Sequence, residues 1–176
     1  MDNGRDFLRA QINNSLAQHG SLIESIRDHS EQADNPKYRQ LCLKYLPGCE
    51  RHQGMLEQYG KTVGAEKGGG FLKGAIGTVL GKARDAVDAM RESDFLRVVG
   101  DIVMIRQAQD TFRTFKLAGE QINEPQLAEL SKTAESHHDD MQRDFNELAA
   151  ELFVQHSTAT SDAAFNSTQG VRSRDM

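Results

Sequence analysis

The stretch GAEKGGGFLKGAIGTVLGKARDAVDAMRE, residues 64–92, decides how the rest of the chain is assembled. It separates two halves, each of which reads as a pair of helices around a short turn. Upstream, Phe7/Leu8, Ile12, Leu16, His19, Leu22/Ile23 and Ile26 recur in steps of three and four. That spacing puts them on one face of a helix running from about Asn3 to Ser30. The turn signal is Ala33-Asp34-Asn35-Pro36, where Asp34 or Asn35 can cap and Pro36 suits a first helical turn. A second helix then carries Tyr38, Leu41/Cys42, Tyr45, Cys49, His52, Met55/Leu56 and Tyr59 and ends towards Gly60 or Gly64. Pro47-Gly48 falls inside it and predicts a kink or a break into two shorter helices, because proline lacks the backbone donor and clashes with the preceding turn.

Downstream, Ser93-Asp94 caps a third helix with Phe95, Val98/Val99, Ile102, Ile105, Phe112 and Phe115 on its stripe, closing at Gly119. Asn123 and Pro125 open a fourth, striped by Leu127, Leu130, Ala134, His138, Met141, Phe145, Leu148 and Leu152. The short turns predict two antiparallel hairpins. Two hairpins joined by one long crossover is the ferritin-like way of closing a four-helix bundle. A plain bundle or a bundle-forming dimer fits the same four helices, and the length of the crossover favours the ferritin-like arrangement. The expected organisation is a helical bundle over residues 1–156, with a crossover at 64–92 holding a short extra helix. A disordered tail is expected at 157–176, where periodicity is lost.

Composition agrees with an all-α reading. The chain of 176 residues suits one well-cored domain, lacks Trp and has three prolines. Its net charge of -5 gives no electrostatic footprint for nucleic acid. Cys42 and Cys49 are seven apart, about 10 Å along a helix axis, which is too far for a disulfide. They read as small core residues of a cytoplasmic protein. MDNGRDFLRA lacks the basic region and apolar core expected of a secretory signal, and no apolar run is long enough to span a bilayer.

Candidate chemistry sits at mid-height. His19 is near the middle of the first helix, Glu50 and His52 of the second, and Glu135 and His138 of the fourth, where AESHHDDMQ spans 134–142. Glu135 and His138 are three apart and share a helix face. A dimetal centre in such a bundle takes one Glu from each of two helices and a Glu-x-x-His pair from each of the others. The segments CERHQGMLEQYG and LAGEQINEPQLAELSKTAESHHDDM resemble the second helix and last hairpin of the ferritin-like family of small bacterial stress-associated proteins. That resemblance implies a dimeric bundle binding one or two transition-metal ions, iron or manganese, with zinc as a further candidate.

The implied ligands are Glu135 and His138, with Glu50, His52 and His19 completing the shell. The chain departs from the family pattern: His19 stands where a glutamate is expected, Gln53 follows Glu50 by three, and Gln107 takes a carboxylate position. Half of the oxygen-rich ligand set is missing, so ferroxidase activity is not expected. If metal binds, histidine protonation should weaken it below about pH 6. The alternative is a hydrogen-bonded polar layer that sets helix register. His137, Asp139 and Asp140 read as solvated surface.

The glycine-rich stretch fails as a phosphate loop, since Gly77 to Gly81-Lys82 is one residue short, Ala83 replaces the hydroxyl and no strand precedes it. Phe71, Leu72, Ala75, Ile76, Val79 and Leu80 with Lys73, Lys82 and Arg84 form an amphipathic segment over 71–90. It predicts packing on the bundle or on a second copy, with contact to a membrane surface as the other option. A non-catalytic interaction protein built around this segment is the rival to the metal reading.

Overall fold

The computed structural model describes the backbone of residues 3–65 and 93–172, with side chains over 4–65 and 93–158. The amphipathic segment at 71–90 lies outside the described residues. Those residues form four helices and no strand: α1 (Asn3–Gln32), α2 (Pro36–Thr62), α3 (Asp94–Gln121) and α4 (Pro125–Arg172). Each helix has two principal neighbours: α1 packs on α2 and α3, and α4 packs on α3 and α2. No described helix is long and apolar enough to cross a membrane.

The turns form as local chemistry dictates. Asn35 caps α2, its side-chain oxygen accepting from the backbone N–H of Lys37 at 2.9 Å and of Tyr38 at 3.1 Å. Ser93 precedes α3 without a side-chain capping bond, and the neighbouring Asp94 is used elsewhere. Its carboxylate accepts the Asn35 N–H at 2.5 Å and an Arg97 N–H at 3.1 Å, which ties the start of α3 to the α1–α2 turn. At the other turn Asn123 adopts the left-handed conformation (φ 58°). Gly119 is not a stop signal, because α3 continues to Gln121. A Cβ at Gly119 would lie 2.8 Å from the Ala128 backbone nitrogen, so glycine is needed there for α3 and α4 to approach.

Pro47 does not divide α2, which is one helix from Pro36 to Thr62. Pro47 and Leu43, whose carbonyl loses its helical donor, both face solvent. Water can therefore serve the orphaned oxygen. The α4 backbone stays helical to Arg172, beyond the His156 boundary suggested by the loss of periodicity.

The core divides into two apolar bodies. One gathers Leu22, Ile26, Tyr38, Cys42, Cys49, Ile105, Met141, Phe145 and neighbours. The other gathers Ile12, Leu56, Tyr59, Phe112, Leu127, Leu130 and Ala134. Along α1, α2 and α4 the switch from one body to the other occurs at His19, His52 and His138, all three buried. A layer of imidazoles thus crosses the middle of the bundle.

A second buried polar centre lies within the first body. Asp101, fully buried, accepts hydrogen bonds from Tyr38 Oη at 2.6 Å, Ser25 Oγ at 2.7 Å and His29 Nδ1 at 2.9 Å. Burial and the adjacent carboxylate push the Tyr38 phenol far above its ordinary range. The donors satisfy the charge that burial would otherwise penalise.

Candidate metal centre

Three helices supply the centre, α1 with His19, α2 with Cys49 and His52, and α4 with His137 and His138. Among the described residues, two groups of three metal-ligating side chains have their ligand atoms within 4.8 Å of one another: His19, Cys49 and His138, and His52, His137 and His138. His138 belongs to both.

Hydrogen bonds fix the two central rings. His138 Nδ1 lies 2.7 Å from the Ala134 carbonyl, which can only accept, so this nitrogen carries the proton. Gln53 donates its amide N–H to the Leu16 carbonyl at 3.1 Å, which turns its oxygen towards His19. His19 Nδ1 lies 2.9 Å from that oxygen and must likewise be the donor. In neutral rings both Nε2 atoms are then bare acceptors, and they sit 3.2 Å apart. No hydrogen is left to bond them.

A proton is poorly placed to rescue the pair. Burial pulls His19 down to about 4 and His138 to about 3, so both rings are neutral near pH 7. Phe112 forms an apolar wall, its ring centroid 5.4 Å from that of His19 and 5.3 Å from that of His138. A metal ion answers the geometry better. Tetrahedral coordination with nitrogen donors at about 2.0–2.1 Å sets two such atoms roughly 3.3 Å apart. The Ala134 carbonyl and the Gln53 oxygen occupy the positions of acceptors that orient ligating imidazoles from behind.

The other imidazoles stand against this pair. His52 and His137 meet edge to face with centroids 4.8 Å apart, and Tyr45 closes on His137 at 5.4 Å. Each has a buried Nδ1 without a hydrogen-bond partner among the described residues. Burial also holds His52 down, at about 4, and lowers His137. His137 is therefore part of the polar layer and only half-buried, whereas Asp139 and Asp140 are exposed as their charge suggests. The space for its ring comes from Gly48, where a Cβ would lie 2.2 Å from His137 Nε2.

The structure brings His19, His52 and His138 together and places the two carboxylates elsewhere. Glu135 is held by Lys116 and, at 2.7 Å, by Arg113, cations that keep its carboxyl below the usual range. Glu50 is half-exposed and pairs with Arg27 at 2.8 Å. Gln107 is exposed, and the buried amide of α3 is Gln109, which donates to Asp139. Cys49 reads from sequence as core filling, and burial pushes its thiol up to about 12. Its helical register with His52 was a legible hint, since both lie on the inward face of α2.

Solvent reaches the vicinity of His19. A groove of about 570 Å³ between α1 and α3 includes Ser15, Gln18, Gln107 and Thr111. The same four residues line a cavity of about 10 Å³ that touches His19 and Phe112, a space near the size of one water.

Among the described residues, fold and site together define an all-α arrangement of four helices with a His/Cys cluster in its core. No family model, no curated protein and no solved structure matches the chain.

Proposed function

We infer that this protein binds a single transition-metal ion in the middle of its bundle through imidazole nitrogen, with the Cys49 sulfur within reach. The observation that carries the reading is the pair of bare Nε2 atoms 3.2 Å apart, each ring fixed by an acceptor behind it. Two lone pairs facing each other in an apolar setting repel unless a cation lies between them.

One ion per chain follows from His138. Its Nδ1–H is committed to Ala134, so it has one nitrogen to give, and both candidate trios need it. The donors are nitrogen and sulfur, which favour zinc, copper or nickel over the oxygen-rich sites of manganese. Iron or manganese oxygen chemistry of the ferritin-like kind needs bridging carboxylates, and Glu135 and Glu50 are paired with cations instead. We also propose the ferritin-like arrangement, two antiparallel hairpins joined by the crossover. Its support is the packing of α1 on α2 and α3 on α4 across short turns.

Elemental mass spectrometry on untagged full-length protein, followed by titration with zinc, nickel and copper, tests this. One equivalent should be retained after dialysis, lost in His138→Ala and kept in Glu135→Ala. Retention in His138→Ala, or no retained metal in the parent protein, would overturn the assignment.

A further inference from the structure

On the basis of that metal-binding reading, we propose that the ion is copper, held by His19 Nε2, His138 Nε2 and Cys49 Sγ with Met141 Sδ as a fourth, weaker donor. Met141 is one helical turn beyond His138 on α4, so the two side chains share an inward face. Its sulfur lies 3.9 Å from Cys49 Sγ, and both residues are fully buried. Cys49 in turn has its sulfur within 4.8 Å of the ligand atoms of His19 and His138. Two imidazoles and one thiol from three helices thus lie within 4.8 Å of one another, with the Met141 thioether beside the thiol.

The chemistry of that set discriminates among metals. Zinc is satisfied by imidazole, thiolate and carboxylate and seldom uses a thioether. Copper takes all of these soft donors, and two histidines and a cysteine with a distant methionine form an established copper geometry. The second trio, His52, His137 and His138, contains no sulfur. His138 therefore stands between a sulfur-bearing position and an all-imidazole one, and the softer ion belongs on the side of Cys49.

Copper must displace the Cys49 proton, since thiolate is the ligating form. The bond formed is copper–sulfur, the bond broken is S–H, and the proton leaves to solvent. No electron is transferred in this step when Cu(I) is added. The pair of bare imidazole nitrogens is already in the ligating form and needs no such exchange.

The test uses reduced, full-length protein loaded anaerobically with one equivalent of Cu(I) and, separately, of zinc. Copper-edge X-ray absorption should show a first shell of nitrogen and sulfur in the parent protein, which requires no variant to fold. Cys49→Ser, checked for helicity by circular dichroism, should lose the thiolate contribution and weaken Cu(I) retention against a chromophoric chelator by on the order of 100-fold. Cys42→Ala should leave both readouts as they are. A first shell of nitrogen alone overturns the copper assignment while leaving a histidine metal site intact. Failure to retain either metal overturns both the copper assignment and the function it rests on.

Discussion

His19 Nε2 and His138 Nε2 face each other across 3.2 Å, although the two residues are separated by 119 positions in the chain. Gln53 behind one ring and the Ala134 carbonyl behind the other leave both facing nitrogens without a hydrogen. The relationship is unfavourable for two neutral rings and favourable around a cation. Metal binding should accordingly stabilise the fold. With ligand at about 100 times Kd the expected gain is about 2.7 kcal/mol. Thermal unfolding with and without one equivalent of zinc or copper measures it, and an unchanged midpoint would count against a preformed site.

Acid should destabilise the metal-free protein from about pH 6.5 downward, through its buried histidines. His19 and His52 are held at about 4 in the fold and His138 at about 3, against about 6.5 in an unfolded chain. Below pH 6.5 the unfolded state takes up protons that the native state refuses, so stability falls with falling pH down to about pH 4. The loss is on the order of 3 kcal/mol for His19 alone. Urea titrations between pH 7.5 and pH 4 should show it, and His19→Phe should flatten the slope. At the imidazoles, competition between protons and metal is likewise displaced below the pH 6 onset expected from ordinary histidines, whereas the Cys49 thiol, pushed up to about 12, exchanges a proton for metal throughout this range.

Gly48→Ala should destabilise the protein although alanine is the better helix former. Its Cβ would fall 2.2 Å from His137 Nε2, so the ring must leave its place between Tyr45 and His52. Overpacking of this kind costs about 1–3 kcal/mol, more than the helix-propensity gain of about 1 kcal/mol. The double variant Gly48→Ala/His137→Ala should recover stability in urea unfolding. Equal destabilisation of single and double variants would mean that the ring is not the obstacle.

Asp101→Ala should be among the more damaging substitutions, at about 3 kcal/mol. It strips the acceptor from Tyr38, Ser25 and His29 at once, inside the apolar body that includes Ile26 and Phe145. Tyr38→Phe, which removes one donor and leaves the other two, should cost less than half as much. Chemical denaturation of the two variants decides, and near-equal losses would place the weight on Tyr38 alone.

The four helices were legible because helix formation is written locally. The three- and four-residue steps put Ile12, Leu22, Ile26, Leu56, Phe112 and Phe145 on buried stripes, and Asn35 capped where a cap was expected. Pro47 predicts a kink or a break because a proline's local cost is visible in sequence, and α2 is not broken. The relief, an exposed Leu43 and solvent beside it, depends on which face of α2 is buried. Cys49 and Met141 read from sequence as core filling because burial alone explains either one. Only their mutual approach gives them chemistry.

By itself the sequence determined the four described helices, their approximate boundaries and the presence of His19, His52 and His138 among apolar stripes. The tertiary structure decided which of those groups meet. Glu135 and His138 share a face of α4, yet α3 captures the carboxylate with Arg113 and Lys116 while the imidazole reaches α1. Glu50 is drawn to Arg27, and Gly48 opens the notch that admits His137. The physical reason is one of range. Periodicity and capping act over a few residues, whereas the partner of a buried polar group depends on the rotation and register of helices distant in sequence.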